Sequence, residues 1–155
     1  MTTTIELVDS VSPPDTDIIE RGLIAHAKLM AIEPRNARQL GVVARDAHGV
    51  VVGGLIANTV WGWLQIKELW VGEALRGGGL GKELMEQAEQ EARRRGCHHA
   101  LVDTFDFQAR PFYEQLGYRS FGELEDFPRG HRRFFLSKAL STFSPDAQRK
   151  NHDDE

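Results

Sequence analysis

Hydrophobic positions along the chain switch between a two-residue and a 3.6-residue period, and each switch predicts a new element. In TTTIELVDSV (2–11), Ile5 and Leu7 alternate with polar neighbours, and Asp9 and Val11 continue the spacing. This predicts a half-buried strand, ended by Pro13 and Pro14. Ile18, Ile19, Leu23, Ile24, Ala27 and Met30 then recur at helical spacing, giving a helix over about residues 16–31 with Asp15 or Thr16 as its cap. Pro34 stops it, and EPRNARQ (33–39) reads as a loop or a short helical turn.

From Leu40 the pattern is extended. LGVVARD, the turn AHG (47–49) and VVVGGLIANTVWG predict a hairpin, and WLQIKELWVGE (63–73) adds a third antiparallel strand after Gly62. Residues 79–95 place Leu80, Leu84, Met85, Ala88 and Ala92 on one helical face. Glu83, Glu86, Glu89 and Glu91 precede Arg93, Arg94 and Arg95, as the helix dipole favours, and Gly96 suits the stop. A buried strand at 98–105, a short helix at 109–117 and strands at 118–124 and 131–140 complete the order β-α-β-β-β-α-β-α-β-β. The fold class is α/β, a mixed sheet with helices on its faces. Residues 1–140 form one domain in this reading, and the aperiodic, polar 141–155 a flexible tail.

Composition narrows the field. At 155 residues, 41% hydrophobic and 27% charged, the chain has the make-up of one soluble globular domain. Nineteen Lys+Arg against 23 Asp+Glu leave a formal charge of −4, which gives no overall field toward nucleic acid or an anionic membrane. Cys97 is the sole cysteine, and no charged-then-apolar leader opens the sequence, so a reducing cytoplasm is expected. No apolar run reaches the ~18 residues of a membrane span. His98, His99, His131 and Cys97 lack metal-ligand spacing, so no metal is expected.

The chemistry concentrates in RGGGLGKELMEQ (76–87). Glycines between a strand and a helix present unpaired backbone N–H groups at the positive end of a helix dipole, a setting for phosphate. Three phosphate motifs compete. G-x-G-x-x-G fails, because its third glycine falls on Lys82 or Leu84. The P-loop pattern meets Gly81-Lys82, but Arg76 stands for its first glycine and Glu83 for its magnesium-binding hydroxyl. The pattern [Q/R]-x-x-G-x-[G/A] fits Arg76-Gly77-Gly78-Gly79-Leu80-Gly81.

That loop, following LWV and opening an amphipathic helix, resembles the acetyl-CoA pyrophosphate loop of the GNAT superfamily of N-acetyltransferases. ARPFYEQLGY (109–118) is similar to a second motif of the family, A-x-x-F-Y-x-x-x-G-[FY]. The element order is also the family's, and the resemblance covers about residues 4–140, with the motifs within 69–118. It implies an enzyme that transfers acetyl from acetyl-CoA to an amine in a ternary complex, with acetyl-CoA as co-substrate. The amides of Gly77, Gly78, Gly79, Leu80, Gly81 and Lys82 would hold the pyrophosphate. Arg76 would open the loop, and main chain at Leu69, Trp70 and Val71 would pair with the pantetheine arm, where two strands splay. Tyr113 matches the family's general acid toward sulfur.

The family's base sits four to six residues before the position of Val71, where this chain has Lys67 and Gln65. Glu68 is adjacent and reaches the cleft only if a bulge shifts the alternation. Asp103, Asp106 and a water chain are the other options. Asp106 replaces the asparagine that bonds the cofactor in many relatives. A carboxylate there accepts from a pantetheine amide but cannot donate, with Gln108 as a substitute. Trp61, Trp63, Phe105, Phe107 and Phe127 are candidates for an aromatic acceptor wall. Glu68, Asp103, Asp106, Glu123 and Asp126 are candidates to attract a cationic amine. A small-molecule amine is expected as acceptor, no nucleic acid or membrane as partner, and a homodimer from the family's habit. The alternative is a non-catalytic acyl-CoA sensor with the same fold.

Overall fold

Strands β1 (Arg38–Arg45), β2 (Val51–Val60), β3 (Trp63–Val71), β4 (His99–Phe105), β5 (Arg119–Glu125) and β6 (Arg132–Ala139) form one mixed sheet in the order β1-β2-β3-β4-β6-β5. The computed structural model describes residues 2–141, so the expected tail beyond Ser141 lies outside the described residues. Helices α2 (Leu80–Arg94) and α3 (Arg110–Gln115) accompany the sheet, with a 3-10 turn at Glu73–Leu75, and helix α1 (Pro13–Leu29) precedes them in the chain. The contacts divide the chain into two units, Met1–Arg35 and Asn36–Glu155.

In the first unit, Pro13 opens α1 and the Ser12 side chain accepts from the Asp15 amide at 3.4 Å. A helix forms where the spacing predicts one, but it starts at Pro13 and is capped by Ser12 rather than by Asp15 or Thr16, and Ile18, Ile19, Leu23 and Ile24 stay more than half exposed. The strand expected over 2–11 is not formed. Ile5 and Leu7 are 98% and 99% exposed, and no strand pairs with them among the described residues. A strand gains its stability from a neighbouring ladder and a buried face, and this segment has neither.

In the second unit, β1, β2 and β3 make the expected antiparallel meander. Asp46 Oδ1 accepts from the His48 and Val50 amides at 2.8 and 3.0 Å, and Gly49 has φ +80°, which fixes the first turn. The second turn is two residues long, with Trp61 and Gly62 both at positive φ, the conformation that matches strand twist. After β3, α2 crosses over and returns the chain to β4, which runs parallel to β3.

Packing of α2 explains the crossover. Leu84, Met85, Ala88 and Ala92 lie on one stripe and are buried against Leu40, Leu55, Ala57, Leu64 and Ile66 of the meander and Ala100 and Val102 of β4. Tyr113 and Tyr118 join the same core from the α3 side. Thr59, Thr104 and one charged group are buried as well. Glu89, 4% exposed, accepts from the Tyr118 hydroxyl at 3.1 Å and from Lys138 Nζ at 2.7 Å, with Arg93 Nη2 at 3.6 Å. Burial, the Glu89 charge and that bond together push the Tyr118 phenol far up, so it stays a donor.

Candidate active site

The site begins where two strands part. β3 and β4 are paired only at Trp63–His99, Leu64–Ala100 and Gln65–Leu101, and beyond Gln65 they diverge. A bulge accompanies the divergence: Ile56 pairs with Glu68 and Ala57 with Ile66, so Lys67 is the extra residue. Its consequence is a change of face. Leu64 and Ile66 point into the core before it, Leu69 and Val71 pack against the core after it, and Glu68 and Trp70 turn to the opposite face. The Gly72 amide bonds Val52 of β2 at 2.8 Å. By the alternation of an antiparallel ladder, Leu69 and Val71 then turn their main-chain groups away from β2, toward the gap.

At the end of β3 the chain enters the glycine loop. Gly77 and Gly79 have φ of +82° and +85°, so each needs a residue without a Cβ. Gly81 serves packing instead: a Cβ there would lie 3.2 Å from the Phe112 ring, at the contact between α2 and α3. Gly79 caps α2 without a side-chain acceptor, and the first helical bond is donated by Glu83 to Gly79 O at 3.1 Å. The amides of Gly77, Gly78, Gly79, Leu80, Gly81 and Lys82 therefore donate to no backbone carbonyl among the described residues. Six unspent donors at the positive end of a 15-residue helix line a cradle whose free N–H groups and dipole favour an anion. Arg76 does not point its Nε into that cradle but bonds Val71 O at 3.2 Å, pinning the loop to the strand end. Lys82 lies 3.8 Å from exposed Glu86.

Tyr113 reaches the site from α3. Its ring sits edge-on to Phe112 and Tyr118, and the residue is buried, with 7% of its surface exposed. Burial first, and the Asp103 charge second, push its phenol from 10.0 up to about 12. The hydroxyl makes no hydrogen bond among the described residues. It is not sealed away either, since it is not one of the buried side-chain atoms without a partner among the described residues. A protonated phenol with a free hydroxyl is the form a general acid requires.

Of the carboxylates named as bases, one is unspent. Glu68 is exposed on the open face and has neither hydrogen bond nor ion pair among the described residues. Asp103 is on the same face of β4, but its Oδ2 receives Arg133 Nε at 2.7 Å and Nη2 at 2.6 Å. Asp106 spends both oxygens: His131 Nδ1 lies 2.8 Å from Oδ1, and the Arg132 amide donates to Oδ2 at 3.0 Å. Desolvation raises the Asp106 carboxyl, but the bonds from His131 and from the Arg132 and Phe107 amides, with the His131 charge, together outweigh it and hold the group below its usual range. A contact from Asp106 to a pantetheine amide would use a remaining lone pair. Gln108 Oε1 lies 3.3 Å from the Thr104 hydroxyl.

The aromatic residues separate into groups. Phe105, Phe107 and Phe127 come together, whereas Trp63 stacks on His99 with centroids 4.6 Å apart and Trp61 sits in the β2–β3 turn. Arg133 and His131 were not anticipated by the sequence as site residues. In HRRFF the alternation puts Arg133 on the face of Phe135, but only the β4–β6 register, which sets Phe105 opposite Arg133, brings it to Asp103. Among the described residues, no group of three His, Cys, Asp or Glu side chains is arranged to hold a metal ion, and no helix is long and apolar enough to cross a membrane.

Comparison with known proteins shows the family to which this fold belongs. The acetyltransferase (GNAT) family model matches residues 10–118. The blasticidin-S acetyltransferase of Streptomyces morookaense is 42% identical over 108 residues, which is 67% of this chain and 79% of that protein. The acetyltransferase Atu2258 of Agrobacterium fabrum is 39% identical over 101 residues, 65% of this chain and 74% of its own. The crystal structure of an acetyltransferase from Bacillus cereus superposes with a TM-score of 0.75 at 30% identity, covering 87% of this chain and 98% of that one. With the parted strands, the amide-lined loop and the buried tyrosine in place, the chain belongs to the GNAT family and is an acetyltransferase.

Proposed function

We propose that the protein is an acetyl-CoA-dependent N-acetyltransferase that passes the acetyl group to a primary amine of a small molecule by direct attack, both substrates being held at once. The observation that carries this reading is the row of six unspent amides from Gly77 to Lys82 beside the gap between β3 and β4. Bound acetyl-CoA supplies the activated acetyl group and a thiol leaving group. The amides of Gly77 to Lys82 hold its pyrophosphate, and the outward main chain of Leu69 and Val71, with Trp70 between them, receives the pantetheine arm as an added strand. Tyr113 holds a proton for the departing sulfur, and Glu68 takes one from the amine. A small-molecule acceptor is supported by the name of the relative that acts on blasticidin S.

The cradle is tested by Gly79→Val. A β-branched residue does not tolerate φ +85°, so the loop must rearrange and turn its amides away. Calorimetric affinity for acetyl-CoA is expected to fall more than about tenfold, the scale of a lost charge-assisted bond. An affinity equal to that of the unaltered protein would remove the loop from the binding site.

A further inference from the structure

Resting on the acceptor-side reading just given, we infer that Phe105, Phe107 and Phe127 form the acceptor subsite, and that it selects an amine carrying a planar unsaturated ring. The three rings form a ladder. Phe105 lies 5.3 Å from Phe107 at 10° between planes and 5.9 Å from Phe127 at 23°. Phe105 is half-buried at the end of β4, on the face of Asp103 and Glu68, whereas Phe107 and Phe127 are 55% and 44% exposed. The rungs come from three separate places: the end of β4, the turn into α3, and the turn between β5 and β6.

Main-chain bonds hold those turns together, so the ladder is built before any ligand arrives. The Asp106 amide donates to Arg132 O at 3.0 Å, and the Arg132 amide returns a bond to Asp106 Oδ2 at 3.0 Å. The Phe127 amide donates to His131 O at 3.2 Å, and the His131 amide to Pro128 O at 2.8 Å. His131 also meets Phe107 edge-on at 5.1 Å. Aromatic rings fixed in half-exposed positions offer stacking area at little further ordering cost.

Charge around the ladder argues against a polycation as the preferred acceptor. Asp103 is paired with Arg133, whose guanidinium also lies 4.7 Å over Phe127. Asp106 is bonded to His131, Glu123 Oε1 takes Arg132 Nη1 at 2.9 Å, and Asp126 Oδ1 takes the Gly130 amide at 3.3 Å. Each of these acidic groups already has a partner, while Glu68, unpaired among the described residues, stands at the strand gap where one amine is to be received. What the ladder has left to offer is ring surface.

The test uses 2-phenylethylamine, 2-cyclohexylethylamine and spermidine as probes, titrated into the CoA-loaded protein while the phenylalanine ring signals are followed by NMR. Thiol release from acetyl-CoA is recorded with each probe in parallel. Phenylethylamine is expected to shift the Phe107 and Phe127 rings and to bind about tenfold tighter than its saturated counterpart, as a stacked pair implies. Phe127→Leu and Phe107→Leu keep apolar bulk but remove the flat ring, and each should bring the two affinities together; circular dichroism and melting temperature check that the variants fold. Equal affinities in the unaltered protein, tighter binding of spermidine, or shifts confined to other rings would overturn the subsite. Ring shifts and aryl preference without thiol release would support the subsite while contradicting catalysis.

Discussion

Replacing Tyr113 with phenylalanine is expected to lower kcat about a hundredfold, within the range for loss of a positioned proton donor, while acetyl-CoA affinity changes little. The ring packs against Phe112 and Tyr118, and phenylalanine preserves those contacts. The hydroxyl bonds no protein group among the described residues, so the variant should keep its stability to within about 1 kcal/mol. The deficit should therefore appear in turnover alone. Because burial and Asp103 hold the phenol at about 12, its ionisation should place no break in the rate profile below about pH 11. Steady-state rates of the two proteins, with calorimetric acetyl-CoA affinities alongside, check this. Equal kcat values would take the proton-donor role away from Tyr113.

The largest effect on stability is expected at Glu89. Its carboxylate is buried beneath α2 and answers Tyr118, Lys138 and Arg93 together. Glu89→Ala would leave a buried phenol and a partly buried ammonium without an acceptor, and breaking such a network costs about 3–5 kcal/mol. Lys138 is about a quarter exposed, so the lower end, about 3 kcal/mol, is expected. Glu89→Gln keeps an acceptor of similar shape and should cost less. Exposed Glu86, 3.8 Å from Lys82, provides the contrast, with Glu86→Ala staying within about 0.5 kcal/mol. Urea unfolding of the three variants decides it. A Glu89→Ala protein as stable as the unaltered one would mean that the network contributes nothing net.

How far the site could be read from sequence depended on whether it is written locally. The glycine loop and α2 are local: Arg76 to Gly81 form one turn, and the apolar stripe of α2 repeats within 15 residues. The meander was legible for the same reason, since its turns carry Asp46, Gly49 and Gly62. Glu68 was only half legible, because its face depends on the bulge at Lys67, a property of the β2–β3 register rather than of either strand alone. The pairings of Asp103 with Arg133 and of Asp106 with His131 join positions 25 to 30 residues apart, and no local signal announces them. They turn acidic residues that read as attractors for a cation into settled partners. The strand expected over 2–11 had the right alternation, but alternation describes which side chains share a face and does not supply a neighbouring strand.

The measurement that bears most directly on the proposed activity is acetyl-CoA-dependent turnover by the unaltered protein across small amines: aryl-bearing amines, amino acids, amino sugars and polyamines. Free thiol and acetylated product are followed together, the product by mass spectrometry. The prediction is equal appearance of thiol and of an N-acetylated amine, fastest with an aryl-bearing primary amine. Acetyl-CoA binding without an acetylated product from any of these amines would contradict it.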